Sequence, residues 1–269
     1  MLGAIIGDIL GSVFEGSEIK EKNVPFYLKG TRMTDDSIMT IAVGCACARS
    51  DLSNEQSFKE NVVLCMREIG NKNPYAGYGW SFMKWLDNPN AGAYNSFGNG
   101  SAMRVSTVSW FASSLEEAER LAKWSAEVTH NHPEGIKGAK AIAGAVFLAR
   151  SNKTKEEIRK YIEDNYYSLD FTLDEIRPSY NFSLACQESV PQSIKCFLEA
   201  DSYEDAIRNA ISMGGDADTM GAMAGAIAEP FFGIPRELIE KAFSYMKEEN
   251  RAYFNEYARI VYKDQWFIK

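Results

Sequence analysis

Histidine is nearly missing from this chain: His130 and His132 are the only two in 269 residues. Their scarcity argues against zinc or copper sites, which draw mainly on imidazole and thiolate. Their i, i+2 spacing and the lack of an adjacent Cys or acidic partner argue against a metal role for this pair in particular. Cysteine is also sparse. Cys45, Cys47, Cys65, Cys186 and Cys196 are odd in number, contain no CxxC pair and fall mostly inside apolar helical patterns, so buried free thiols in a reducing cytoplasm are expected rather than disulfides or zinc. Basic charge is in deficit, 29 Lys and Arg against 37 Asp and Glu for a net charge of −8, which argues against nucleic acid or anionic membrane as partner. There is no membrane-length apolar run either. The N-terminal MLGAIIGDILGSVF is broken by Asp8, follows no basic stretch and falls short of the roughly 20 residues a bilayer span needs, so it is read as a buried helix.

What the chain has in quantity is helical patterning. A content of 45% hydrophobic and 12% aromatic residues suffices for a large core. In IKGAKAIAGAVFLAR, residues Ala139, Ile142, Ala143, Val146 and Phe147 recur on one helical face. SLEEAERLAKWSAEVTH opens on Ser114 with Glu117 three residues on, the pattern of a capping box, and turns Leu121, Trp124 and Val128 inward; Ser202 before Asp205 starts YEDAIRNAISM in the same way. Further helices are predicted at 38–49, 55–69, 154–165, 189–199, 219–230 and 236–247. Two of them, IMTIAVGCACA and MGAMAGAIA, are small or apolar all round, as helices buried in the middle of an assembly are. Turn residues mark loops in NKNPYAGYGW, in the long Gly/Asn-rich segment 87–101 and in DFTLDEIRPSYNFS. With little strand patterning and no repeat or linker, the expectation is one all-α domain over residues 1–269.

Charge appears in these apolar surroundings at two places. Thr34, Asp35 and Asp36 precede one buried helix, and Asp216, Asp218 and Thr219 begin another. Helix capping accounts for a single Thr or Asp at such a point. It does not account for doubled carboxylates, which repel each other in a partly enclosed cleft, and around Asp216 and Asp218 no Lys or Arg is nearby in sequence. Four carboxylates and two hydroxyls match the charge and ligand preference of two hard divalent ions, Mg²⁺ or Mn²⁺ ahead of Ca²⁺.

Five blocks then fall in a recognisable order: GAIIGDILGSVFEG at 3–16, MTDDS at 33–37, FGNGSAMRV at 97–105, THNHPEGIKGAKA at 129–141 and GGDADTMGAMAGAIA at 214–228. Along essentially its whole length the chain resembles the ADP-ribosylglycohydrolases, the family of dinitrogenase reductase-activating glycohydrolase. The resemblance implies a compact orthogonal multi-helix domain. It also implies two Mg²⁺ or Mn²⁺ ions held by residues at the positions of Thr34, Asp35, Asp36, Asp216, Asp218 and Thr219. Ser96, Gly98, Asn99 and Gly100 would line the diphosphate and ribose of ADP-ribose, Phe97 would pack on adenine or ribose, and His130 would touch the ligand. Read without the family, 96–100 is better taken as a surface turn that needs glycine conformations.

Glu15 matches a glutamate that, in part of the family, acts on water or the scissile bond from a mobile flap; the alternative is a solvated helix end. Asp8 is read as capping or pinning the first helix. Two departures stand out, Ala217 where many relatives have Thr and Glu229-Pro230 where small residues are usual. The reading is a metal-dependent hydrolase cleaving the glycosidic bond at ribose C1″ of an ADP-ribosylated protein or small ADP-ribose conjugate, with Asp35, Asp36 and Glu15 as candidates to polarise or deprotonate water. A non-catalytic ADP-ribose-binding module and a metal-dependent phosphohydrolase are the alternatives.

Overall fold

A computed structural model describes residues 1–263, 265 and 267. Among them the regular structure is helical, with no strand and only two isolated bridges, Ser17 with Gly215 and Gly98 with Ala185. No helix among the described residues is long and apolar enough to cross a membrane.

The centre is a pair of antiparallel helices, Leu2–Gly11 and Ala217–Phe232. Gly3, Gly7 and Gly11 recur every four residues and so share one face of the first. They meet Gly225, Gly221 and Ala217 of the second in reverse order, so closely that a Cβ on Gly3, Gly7 or Gly11 would lie 2.3, 2.0 or 2.5 Å from the facing carbonyl oxygen. This is why small residues recur on the facing side of each helix: the backbones themselves form the contact. Every residue of Leu2–Gly11 is buried, as the apolar pattern predicts.

Asp35–Arg49 packs beside this pair and is clasped from outside by Glu55–Lys72 and Glu248–Tyr262, with Gly44 making room for the Tyr257 ring. Pro133–Arg150, Cys186–Leu198 and Tyr203–Met213 cover the other side of Ala217–Phe232, and Leu115–Glu127 lies on Pro133–Arg150.

Several boundaries differ from the sequence reading for identifiable reasons. The helix expected at 38–49 begins at Asp35, because Thr34 is its N-cap and the two carboxylates form its first turn. The one expected at 219–230 runs Ala217–Phe232, Pro230 sitting in its last turn. The one expected at 236–247 stops at Phe243. Cys186–Leu198 starts three residues before the expected 189. Trp80–Asp87 and the long C-terminal helix Glu248–Tyr262 have no counterpart among the expected helices, nor have the short turns Gly100–Met103, Val108–Phe111 and Leu173–Ile176. Ser114 does accept from Glu117 N, but the Glu117 carboxylate turns back to Ser113 N rather than to Ser114 N, so the capping box is only half formed.

Glu229, the unusual residue near the end of Ala217–Phe232, is buried and fully used. It accepts from Gly3 N at 2.9 Å, from the Tyr262 hydroxyl and from the Met1 amino group. It ties the first helix, the Ala217–Phe232 helix and the C-terminal helix together.

Candidate metal centre and adjoining cavity

The glycine contact sets the site. With Gly11 against Ala217 and Asp218, the C-terminal half of the first helix meets the N-terminus of Ala217–Phe232, and the N-terminus of Asp35–Arg49 arrives at the same point. Asp8 makes that third junction. Its carboxylate accepts from Thr34 N at 3.0 Å, Thr34 Oγ1 at 2.7 Å and Ser37 N at 3.0 Å, and from Ser37 Oγ. Of the two expectations for Asp8, capping of the first helix is corrected: it sits inside that helix and caps the second, which pins the two together. A lone charge in an otherwise apolar helix was the available signal, since a fully buried carboxylate must find donors.

The two acidic clusters converge around Asp218. Carboxylate oxygens of Asp8, Asp36 and Asp218 lie within 4.8 Å of one another, and so do those of Glu15, Asp216 and Asp218. Thr219 Oγ1 donates to Asp36 Oδ2 at 3.2 Å, linking the second cluster to the first, and Thr34 Oγ1 stands 3.3 Å from the same oxygen. Asp216 occupies the N-cap position of its helix yet makes no capping bond; its Oδ2 instead accepts from Asn99 Nδ2 at 2.7 Å. Asp35 is half-buried, with Oδ1 beside Gly77. Glu15 is exposed, on a segment tied to the site by Gly16 N to Gly215 O at 2.7 Å and Gly215 N to Ser17 O at 3.1 Å.

Nothing positive balances these charges. None of Asp8, Glu15, Asp35, Asp36, Asp216 and Asp218 forms an ion pair among the described residues. Burial first, then neighbouring carboxylates, drives Asp36 and Asp218 well above the ordinary carboxylate range. The same causes push Asp35 up to about 7, with Asp8 its strongest charged neighbour. Burial lifts Asp216 to about 6, against the pull of the Asn99 hydrogen bond. Burial also raises Asp8, opposed by its Ser37 and Thr34 donors. The N-terminal ends of two helices offer only fractional positive charge. Asp36 Oδ1 is buried without any hydrogen-bond partner, an acceptor left open in a crowd of acceptors. An all-oxygen donor set with an orphaned carboxylate oxygen and no cation fits hard divalent ions.

A cavity of about 950 Å³ is lined both by carboxylates of this cluster and by Ser96, Phe97, Gly98, Asn99, Gly100 and His130. The 96–100 loop is held from behind: Asn99 N donates to Leu184 O at 2.7 Å, Cys186 N to Phe97 O at 3.0 Å and Gly98 N to Ser96 Oγ at 3.1 Å. Asn99 thus belongs to both halves, its backbone to the loop and its side chain to Asp216. Phe97 is half-exposed, its ring edge-on to His132 at 5.5 Å. His132 has a structural task, its Nδ1 accepting from Glu134 N at 3.1 Å to cap Pro133–Arg150. His130 is buried, and burial followed by the Arg104 charge holds its imidazolium well below the usual range. The sequence reading passed over the cavity's exposed apolar rim, Trp80, Phe182 and Leu184. Those residues lie in turn-rich segments without periodicity, where no local pattern signals that they face one opening.

Comparison with known proteins bears on the family and the fold. The chain is 28% identical to ADP-ribosylhydrolase ARH3 of Gallus gallus, with 87% of this chain and 84% of that protein covered. It is 27% identical to the Homo sapiens protein of the same name, with 87% and 84% covered. ADP-ribosylarginine hydrolase Tri1 of Pseudomonas putida (strain GB-1) is 24% identical, with 90% and 72% covered. Among solved structures, an ADP-ribosylglycohydrolase-related protein complex shares the fold with a TM-score of 0.61 at 17% identity, with 95% of this chain and 97% of that one covered. The profile described as ADP-ribosylglycohydrolase matches residues 1–264, and the chain belongs to that family.

Proposed function

We propose that this protein is a divalent-metal-dependent hydrolase that releases ADP-ribose from an ADP-ribosylated protein or a small ADP-ribose conjugate. The observation that carries the reading is the junction at Asp218, where two acidic groups share one carboxylate in a cavity that the 96–100 loop also lines. Two Mg²⁺ or Mn²⁺ ions held by Thr34, Asp35, Asp36, Asp216, Asp218 and Thr219 would supply Lewis acidity toward water and the ribose hydroxyls.

The chain's own groups do the rest. Asp8 fixes Thr34 at the mouth of its helix, and Asn99 fixes Asp216, so the ligand oxygens are aimed before anything binds. The 96–100 loop and His130 hold the ADP-ribosyl group with C1″ at the carboxylate end. Water adds its oxygen to C1″ while the bond from C1″ to the acceptor atom breaks and its electron pair leaves with the acceptor. Glu15, Asp35 and Asp36 are the candidates to take the water proton; Glu15, exposed and near Asp216 and Asp218, would pass a proton to solvent or to the leaving acceptor. The buried free cysteines fit a reducing cytoplasm.

The test is a panel of ADP-ribosylated acceptors, arginine and serine peptides, a nucleic-acid end and a small conjugate, each incubated with Mg²⁺, Mn²⁺ or EDTA. Metal-dependent release of free ADP-ribose from at least one acceptor supports the proposal. Tight ADP-ribose binding with no release from any acceptor makes the protein a binding module instead.

A further inference from the structure

His130 gives one ring nitrogen to the protein and the other to the cavity, and a hydrogen count across three side chains decides which one carries the proton. Arg104 and Thr129 are both buried, 1% and 0% exposed. Arg104 Nη2 donates to Thr129 Oγ1 at 2.8 Å and to Ser125 O at 3.0 Å, near the C-terminal end of Leu115–Glu127. A guanidinium only donates, so Thr129 Oγ1 accepts there and must place its own hydrogen elsewhere. The other partner of that oxygen among the described residues is His130 Nδ1 at 2.7 Å. Were Nδ1 protonated, the hydroxyl would receive two hydrogens and its own O–H would be buried without an acceptor. With the hydroxyl donating, Nδ1 accepts and the neutral ring carries its proton on Nε2.

Nε2 has no hydrogen-bond partner among the described residues, although His130 is 95% buried, at 5% exposed. It faces the loop: a Cβ added at Gly100 would lie 3.0 Å from Nε2 and one at Gly98 3.7 Å, so the two glycines keep the space in front of it clear. The Tyr94 ring packs on the imidazole with centroids 5.8 Å apart and closes another side.

We propose that Arg104 and Thr129 are positioning residues that lock His130 as the neutral Nε2–H tautomer and aim that N–H at an oxygen of the ADP-ribosyl group lying along the 96–100 loop. The identity of the ligand rests on the proposed hydrolase function; the tautomer does not. A carboxylate behind the imidazole would favour the charged ring. An arginine acting through a hydroxyl orients the ring while its positive charge disfavours a second proton, so His130 becomes a directional donor without net charge.

The chain has only two histidines, which makes the test direct. Long-range ¹H–¹⁵N spectra of the metal-free, ligand-free protein contain two imidazoles, and His132→Asn assigns them. The expected result for His130 is an unprotonated Nδ1 and a protonated Nε2. Thr129→Val should give a mixed tautomer and raise the Kd for ADP-ribose about tenfold, the scale of one lost hydrogen bond. Thr129→Ser should restore both, and Arg104→Met should disturb the tautomer with Thr129 intact. A proton on Nδ1 in the wild type, an imidazolium at neutral pH, or a Thr129→Val protein with unchanged tautomer and Kd would overturn the relay. If Thr129→Val does not fold, the wild-type tautomer and the Thr129→Ser and Arg104→Met spectra decide. Wild-type protein with the expected tautomer but no affinity for ADP-ribose would instead overturn the choice of ligand, together with the hydrolase reading.

Discussion

Gly7 and Gly221 bring their helices into backbone contact: a Cβ added to Gly7 would sit 2.0 Å from the Gly221 carbonyl oxygen. We predict that Gly7→Ala forces the two helices apart and costs about 1–3 kcal/mol or more, the range for overpacking a filled interior. Asp8 and Asp218 lie next to the glycine contacts, so stabilisation by divalent ions should shrink in the same variant. Calorimetric melting with and without Mg²⁺ measures both effects. Gly92→Ala, where an added Cβ meets nothing within 4 Å, is the control. An unchanged melting temperature in Gly7→Ala would refute the backbone contact.

The carboxylate cluster makes stability depend on pH with a definite sign. Asp35 at about 7 and Asp216 at about 6 lie above the unfolded carboxylate value of roughly 4. Groups raised in the folded state contribute stability that is present at low pH and lost as pH rises through their folded values. The metal-free protein should therefore gain melting temperature as pH falls from 8 toward 5.5. Because ions compete with those protons, the shift produced by saturating Mg²⁺ or Mn²⁺ should be larger at pH 8 than at pH 5.5. Thermal scans at the two pH values check this, and equal metal-induced shifts would count against metal binding by these groups.

Glu229 tests the other end of the central helix pair. Glu229→Ala removes the acceptor shared by Gly3 N, the Tyr262 hydroxyl and the Met1 amino group, and should cost roughly 3 kcal/mol, as breaking a buried charged pair does. Glu229→Gln keeps an acceptor and should cost less. Denaturant unfolding compares the two. If both behave as wild type, the network contributes nothing.

Phe97 separates ligand binding from metal binding. Its ring is half-exposed in the cavity lining and offers no oxygen to a cation, so Phe97→Ala should weaken ADP-ribose binding about tenfold or more while metal affinity stays near wild type. Calorimetric titration of each ligand reads the split. Unchanged ADP-ribose affinity would return 96–100 to a plain turn.

The sequence announced some of this architecture clearly and some not at all. Doubled carboxylates at the heads of two all-apolar helices are locally inconsistent with a core, and such conflicts point to a site before any coordinates exist. Asp8 was visible as a charge in the wrong place, but its partner helix was not, because Thr34 and Ser37 reach it only through tertiary packing. Asn99 read as part of a glycine loop, and its bond to Asp216 spans 117 residues, beyond any periodic signal. The Arg104, Thr129 and His130 chain joins two of the recognisable blocks, 97–105 and 129–141, but nothing in either block shows that Arg104 reaches Thr129. Trp80–Asp87 was hidden by the Gly and Pro residues just before it, which mark a turn and leave the next element unspecified.

Asp218 is shared by both acidic groups, so Asp218→Asn is the most direct test of the metal-dependent site. Asparagine keeps the size of aspartate and an oxygen that can still accept from Thr219 N, and removes one negative charge. Turnover of an ADP-ribosylated substrate and divalent-ion affinity should be measured on the same preparation, with the melting temperature of the metal-free protein alongside. The prediction is that turnover and metal affinity fall together while metal-free stability holds or rises, since a like-charge repulsion is relieved. Wild-type turnover with wild-type metal affinity in Asp218→Asn would contradict it.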